Sequence, residues 1–586
     1  YRGPRISTGE FPTGYDSTNW FGRIDHRVSG RHQLAARYSF YDISSVNART
    51  VGSLNDISRG VALENRDQTV AFNEVATLST RTLNESRFQF TRSRLGAPAN
   101  DLLGPAVNIS GVAGFGTATS SPVGRAIDLY EVVNNTSTQR GRHFLKAGAD
   151  LLHNRVNIVF PGALQGVYTF SNVANLQAGR YITYQQAFGG PEQFQSNPNL
   201  GVFAQDEWRP RPDLTVNAGV RYDLQWLPEP IRTDRNNVGP RLGLAWAPGD
   251  HKTVVRAGVG LHYDRIPLRA TSNALQRDGI RYRVAVLSFG EAAAPVFPGV
   301  LASFPAALLT SVTSIDSGIH SAYSHSSSLQ IEREIARQTS LSAAFTHVRG
   351  LHLIMSRNVN VPALTAAQAA QLGVPNLGRP DPRFANNSRY ESSGDFYFNG
   401  LTVSLNRRAT RWSSMRVAYT LAKAIDTAGN FFFSQPQNAF DIRDDRGLSN
   451  NDQRHRLAVS GQVEPARGGF RFAYIFSCNS ALPFNVQTGG DRNNDTNVND
   501  RPVGVGRNTG RGFGFASLDL RLSRRFLRRD HRSLEAMVES FNTLNRTNFQ
   551  FPNNIIGTGA SPLATFGRPT AAADPRQVQL GLRLNW

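Results

Sequence analysis

The ten residues from Gln577 to Trp586 repeat with a period of two. Val578, Leu580, Leu582, Leu584 and Trp586 alternate with Gln577, Gln579, Gly581, Arg583 and Asn585. A helix cannot gather such a row on one side, whereas successive side chains of a strand point to opposite faces. The stretch therefore reads as a strand with one wholly apolar face, and that face needs an apolar cover. No helical layer is evident upstream. Lipid would supply the cover, provided that every backbone N–H and C=O in the hydrocarbon is paired within the sheet.

The same period recurs upstream as hairpins. The first spans about Asn19 to Asp42 and turns at Ser29-Gly30-Arg31, with Leu34, Ala36, Tyr38 and Phe40 on one face. Others cover about Asp67 to Leu95 and Asp128 to Val159. The cleanest alternation is Leu214, Val216, Ala218, Val220, Tyr222 and Leu224 against Thr215, Asn217, Gly219, Arg221, Asp223 and Gln225. Further pairs follow to Phe541, where Leu534 to Glu539 has helical propensity but lies opposite Ala516 to Phe526 and is read as strand. The sum is roughly 19 strands, joined by tight turns at one end and long loops at the other. That asymmetry belongs to outer-membrane barrels. A short helix is expected at Thr365 to Leu372, which opens on a capping threonine.

Composition agrees with this reading. No run of about 18 apolar residues occurs, so helical spans are excluded, but a barrel strand needs only about 9 to 11 residues with every second one apolar. The net charge of +20 would ordinarily raise nucleic acid as a partner. Here the arginines recur at turns and at polar strand positions, where a water-filled lumen accepts them, and no nucleic-acid motif accompanies them. One cysteine, Cys478, leaves no internal disulfide framework. Tyr1-Arg2-Gly3-Pro4 has neither the apolar core nor the cleavage site of a signal peptide.

Several segments together resemble a family, the Oar-like TonB-dependent transporters of the Gram-negative outer membrane. They are Gly22 to His26, Phe203-Ala204-Gln205-Asp206-Glu207-Trp208 leading into Leu214 to Tyr222, Pro240 to Trp246, Tyr419 to Asp426, Asp452 to Arg456, and Glu539 to Phe549. The C-terminal strand, with Val578, Leu580, Leu582, Leu584 and Trp586, is similar to the signal by which the barrel-assembly machinery recognises such proteins. The resemblance implies a barrel of about 22 strands set in outer-membrane lipid and lipopolysaccharide. It also implies a plug inside the barrel and transport of a bulky solute driven by TonB. Residues 1–586 are read as the barrel domain alone. The plug and about three further strands are expected upstream of Tyr1.

The strongest local constellation is Gly489 to Asp500. Asp491, Asn493, Asp495 and Asn497 offer hard oxygen ligands at alternate positions, with Asp500 three residues on, the donor set that calcium takes, although no bidentate Glu follows at the usual place. A polar loop rich in turn formers reads the same way. For catalysis there is no Gly-x-Ser-x-Gly elbow, no His-Glu-x-x-His and no Cys/His cluster. The acids Asp519, Glu535 and Glu539 are expected to pair with Arg521 and its neighbours rather than to work as an acid/base couple. Trp208, Trp246, Trp412 and Trp586 lie by short turns or at the terminus and Trp20 and Trp226 at the far strand ends, which predicts two aromatic girdles about 25 Å apart. The expected function is plugged, TonB-dependent transport rather than bond chemistry, against a passive porin-like channel or a surface adhesion protein.

Overall fold

The computed structural model describes residues 10–585 apart from 53, 111, 120–122, 409–411, 428, 430–431, 466–468 and 530–531. Twenty-one strands share one sheet. Two are short riders, Val312–Ile315 and Gly447–Leu448, and the other nineteen make the wall. In chain order these are β1 (Asp16–Arg27), β2 (His32–Arg49), β3 (Val61–Ser79), β4 (Thr82–Gly96), β5 (Gly124–Arg140), β6 (His143–Val159) and β7 (Glu192–Arg211). Next come β8 (Leu214–Gln225), β9 (Val238–Trp246), β10 (Thr253–Tyr263), β11 (Tyr323–Ala336), β12 (Thr339–Asn358) and β13 (Asn387–Arg407). The last are β14 (Ser413–Asp426), β15 (His455–Val463), β16 (Phe470–Asn479), β17 (Phe515–Arg529), β18 (Arg532–Phe541) and β19 (Gln577–Asn585).

Each wall strand pairs antiparallel with the next, from β1 on β2 through to β18 on β19. Sequence neighbours joined by tight turns close only short loops, so the pairing follows chain order. Among the described residues β1 pairs only with β2 and β19 only with β18. No helix among the described residues is long and apolar enough to cross a membrane.

The register carries one parity around the wall. Tyr38 pairs with Val70, Val70 with Phe90 and Phe90 with Tyr130, then Leu151 with Leu200 and Leu200 with Leu224. At the other end Leu520 and Leu522 lie opposite Ser540 and Val538, and Val538 lies opposite Leu580. The apolar row of β19 thus continues the outer face of the whole sheet. Leu580 and Leu582 are each 76% exposed to the surroundings, as lipid-facing residues must be in a protein described without its lipid.

Ion pairs bound this outer band along the strands. His32–Glu74 (2.8 Å) and His143–Asp206 (2.6 Å) lie toward the short turns, and Asp42–Arg66 (2.8 Å) and Arg92–Asp128 (3.0 Å) toward the long loops. From His32 to Asp42 the strand advances ten residues. At about 3.3 Å per residue and a tilt of about 40°, that is about 25 Å of height, the apolar thickness of an outer-membrane barrel.

Wall strands run well past that band, to 21 residues in β13. The helix expected near Thr365 is present as Ala366–Leu372, and Thr365 and Gln368 form its capping box.

Candidate functional site

The face opposite the lipid row is polar. On β6 to β8 it presents Lys146, Asp150, Arg221 and Asp223, and Arg221 Nη2 donates to Asp150 Oδ2 at 2.8 Å while its Nε donates to Asp223 Oδ1 at 2.9 Å. Gly201 lies between them in the register. A Cβ there would fall 2.0 Å from Arg221 Nη2 and 2.5 Å from Asp150 Oδ2, so glycine is what lets the clamp cross the strand. Farther round, Arg256 Nη1 meets Glu332 Oε2 at 3.0 Å. Near the C-terminus Arg521 lies 3.4 Å from Glu539 and 3.9 Å from Glu535, as the sequence suggests. Asp519 does not join them. Its Oδ1 accepts from Ser517 Oγ (2.9 Å) and from the Asn542 backbone N–H (2.9 Å), because it lies level with the end of β18, where the neighbouring chain leaves the wall after Phe541.

The long loops build two structures at the extracellular end. Residues 97–123, 160–191 and 264–322 contribute a five-stranded sheet, in the order Tyr282–Ser288, Thr183–Gly189, Val167–Phe170, Ala106–Ile109 and Ala113–Phe115. It covers a core of Val107, Ile109, Phe115, Tyr168, Phe170, Tyr181, Tyr184 and Leu287. The tyrosine hydroxyls in it are satisfied, Tyr181 Oη donating to Pro295 O at 2.7 Å and Tyr184 Oη to Gln186. In the same loop as Tyr282, the helix Leu268–Gln276 packs on the inner face of β7. Gln195 Nε2 donates to Leu268 O (2.9 Å) and Ser272 Oγ (2.6 Å), and Thr271 Oγ1 donates to Gln195 Oε1 (2.6 Å). The helix therefore stands within the mouth of the barrel.

The second structure joins residues 427–454 to 480–514. Arg501 Nη1 and Asp445 Oδ1 pair at 2.6 Å, and Arg507 pairs with Asp426, all four side chains buried. The Asp491 to Asp500 segment folds on this framework. Asp491 accepts from the backbone N–H groups of Asp495 (3.1 Å) and Thr496 (2.8 Å). Asp495 accepts from those of Asn497 (2.9 Å) and Ala439 (3.0 Å), and Asp500 from that of Asn493 (3.1 Å). Asn493 Nδ2 donates to Gln437 O at 2.7 Å. Burial raises the Asp495 carboxyl above the ordinary range, against the hydrogen bonds from Asn497 and Ala439 and with the charge of Asp491 adding to it. Asp500 Oδ1 and Asn499 Oδ1 are buried without a hydrogen-bond partner, the kind of oxygen a hard cation takes. Among the described residues no three acidic, histidine or cysteine side chains converge on one point, so a cation here would lean on amide and carbonyl oxygens.

Trp20 pairs with Phe40, just below the Asp42–Arg66 level, whereas Trp208 pairs with His143 by the short turn and stacks on its ring at 5.8 Å. Trp246 pairs with Leu214 beside another short turn, and Trp412 lies against Arg407 at a third. Trp226 follows β8 at its loop end, its backbone N–H donating to Pro198 O. Trp586 lies outside the described residues; Val578, Leu580, Leu582 and Leu584 of the expected assembly signal lie on the outer face of β19.

A family model for the outer membrane beta barrel domain matches residues 6–230, 227–506 and 504–579. The chain belongs to the outer membrane beta barrel domain family. It is a protein of the Gram-negative outer membrane. No curated protein matches it in sequence. Among solved structures, it resembles the outer membrane transporter YddB from Escherichia coli, with 12% identity, a TM-score of 0.66, and coverage of 98% of this chain and 69% of that one. It also resembles the ferric enterobactin receptor PfeA from Pseudomonas aeruginosa, with 13% identity, a TM-score of 0.62, and 99% and 71% coverage. The FrpB iron transporter from Neisseria meningitidis matches at 12% identity and a TM-score of 0.59, with 97% and 71% coverage. At these identities the likeness is one of fold, that of a large outer-membrane barrel.

Sequence reasoning missed the loop sheet and the helix in the mouth. A signal was present in Val167-Tyr168-Thr169-Phe170 and Tyr282 to Leu287, short β-branched and aromatic runs inside stretches read as loop.

Proposed function

We propose that this barrel carries a bulky solute across the outer membrane by gated, TonB-dependent passage, binding it at the extracellular mouth. The observation that carries the reading is the inner wall: charged clamps such as Asp150–Arg221–Asp223 line a polar lumen beneath folded long loops. A wall of that kind suits a hydrated, polar cargo rather than a lipid. The fold shared with transporters of the same membrane supports it. Force from TonB would reach the barrel through a plug, and the barrel-assembly machinery and lipopolysaccharide would be its partners in the membrane. In the Asp491 to Asp500 segment, Asp500 Oδ1 and Asn499 Oδ1 would hold calcium and stiffen the outer loops.

Two measurements on the whole gene product test the transport reading. In planar bilayers a plugged transporter is nearly closed, and in cells its uptake phenotype disappears when TonB is deleted. Steady open conductance that is indifferent to TonB would replace this reading with a passive channel.

A further inference from the structure

The helix Leu268–Gln276 reaches two parts of the wall. One side is fastened to Gln195 of β7, and from the other Asn273 Nδ2 donates to Tyr390 Oη of β13 at 2.9 Å. Arg269 stands at its first turn and Arg277 at its C-terminal cap. Their guanidinium carbons lie 5.1 and 5.6 Å from the centroid of one ring, that of Phe160. Neither forms an ion pair among the described residues, and the neighbouring Asp278 is turned toward Arg281 and toward the backbone N–H groups of Ile280 and Arg281. The Nε of each arginine is buried with no hydrogen-bond partner.

Two like charges that share one aromatic ring, each with an idle buried donor, are an incomplete arrangement. Burial and the charge of Arg277 both push the Arg269 guanidinium below its ordinary range, the strain expected where an anion would bring relief. Tyr390 and Phe160 add aromatic surface beside the cations, and Tyr390 lies 5.9 Å from Phe432 and 6.4 Å from Phe433 between ring centroids. Planar guanidinium forks match carboxylate and phosphate oxygens, and aromatic faces favour a flat organic body attached to them.

We infer that Arg269 and Arg277 form an oxyanion-binding subsite in the barrel mouth, taking a carboxylate or phosphate group carried on an aromatic or apolar solute. The binding stands on this geometry alone; that the bound molecule is cargo rests on the transport reading above.

The test is equilibrium binding to the purified full chain in detergent, with phenyl phosphate and inorganic phosphate as probes. Phenyl phosphate is expected to bind saturably, more tightly than inorganic phosphate, and more weakly as salt is raised. Arg269→Gln and Arg277→Gln should each weaken it at least tenfold, while Arg383→Gln, which alters an exposed loop arginine paired with Asp381, should leave it unchanged. In the wild type phenyl phosphate should also slow tryptic cleavage after Arg277. Heat-modifiable mobility on gels identifies variants with an intact barrel. Wild-type affinity in such folded variants overturns the subsite, as does absence of saturable binding to the wild type. Equal affinity for the two phosphates overturns the aromatic part of the proposal. None of these results depends on conductance or on TonB, so the subsite and the transport reading fail separately.

Discussion

Arg501 and Asp445 meet at 2.6 Å with both side chains buried, and through this pair the loop before β17 grips the loop before β15. Arg501 also donates to Asp444 O at 2.8 Å, and Asp445 Oδ2 accepts from the Gln437 backbone N–H at 2.7 Å. Removing one partner strands a charge in a place without water. Asp445→Ala should therefore cost the loop pair about 3 kcal/mol or more of local stability. Replacing both, as in Arg501→Met with Asp445→Leu, should recover much of the loss. Hydrogen exchange across residues 480–514 measures both, and equal protection in wild type and Asp445→Ala would remove the latch.

The two faces of β19 should respond in opposite ways to one charge. Leu582→Arg places a cation on the lipid face and should cost about 2 to 4 kcal/mol if it lies near the midplane. Gln579→Arg, on the lumen side, should be close to neutral. Folding into lipid vesicles under a urea gradient reads both, and equal costs would mean that the outward parity of the strand is wrong.

Asp495 gives the outer loops a pH dependence whose direction follows from burial. With its folded carboxyl raised above the ordinary 3.8, the folded loop holds a proton more readily than the unfolded one. The contribution is fully present below 3.8 and is lost as pH rises through the folded value. Loop resistance to protease should accordingly decline over that interval, and Asp495→Asn should flatten the decline. Calcium held by Asp500 and Asn499 should raise that resistance in the wild type and do so less in Asp500→Asn. Resistance that ignores calcium at every pH would end the metal proposal.

The tryptophans test the orientation of the barrel. In vesicles that hold the protein with its loops outward, single-tryptophan variants retaining Trp20 or Trp226 should be quenched by external iodide. Variants retaining Trp208, Trp246 or Trp412 should not be. Matching responses from Trp20 and Trp208 would collapse the two girdles into one.

The wall was legible because each strand finds its partner next in the sequence. From Leu214 to Leu224 a period of two states both the strand and its faces, and a tight turn supplies the neighbour. The loop sheet was not legible for the opposite reason. Thr183–Gly189 pairs with Tyr282–Ser288 across two wall hairpins, so nothing local to either stretch announces the match. Arg269 and Arg277 were hidden in the same way, since their common neighbour Phe160 lies in another loop. Asp519 misled because a strand pattern places it beside Arg521 but does not report where the partner strand β18 ends. The oxygen-rich run from Asp491 was plain to see. Its carboxylates proved to hold backbone amides, a role that composition alone does not separate from metal binding.

Tyr168, Tyr184 and Phe170, all fully buried, lie in the loop sheet and not in the wall. Two solvents therefore hold this protein together. The wall is kept by lipid, which leaves its backbone no partner but the neighbouring strand, while the outer sheet is kept by water, which drives its aromatics together. Urea weakens the second force and reaches the first only slowly. At moderate urea the barrel should stand intact in the membrane with its outer sheet dissolved, a bare cylinder that has come apart at its mouth before it has lost its shape.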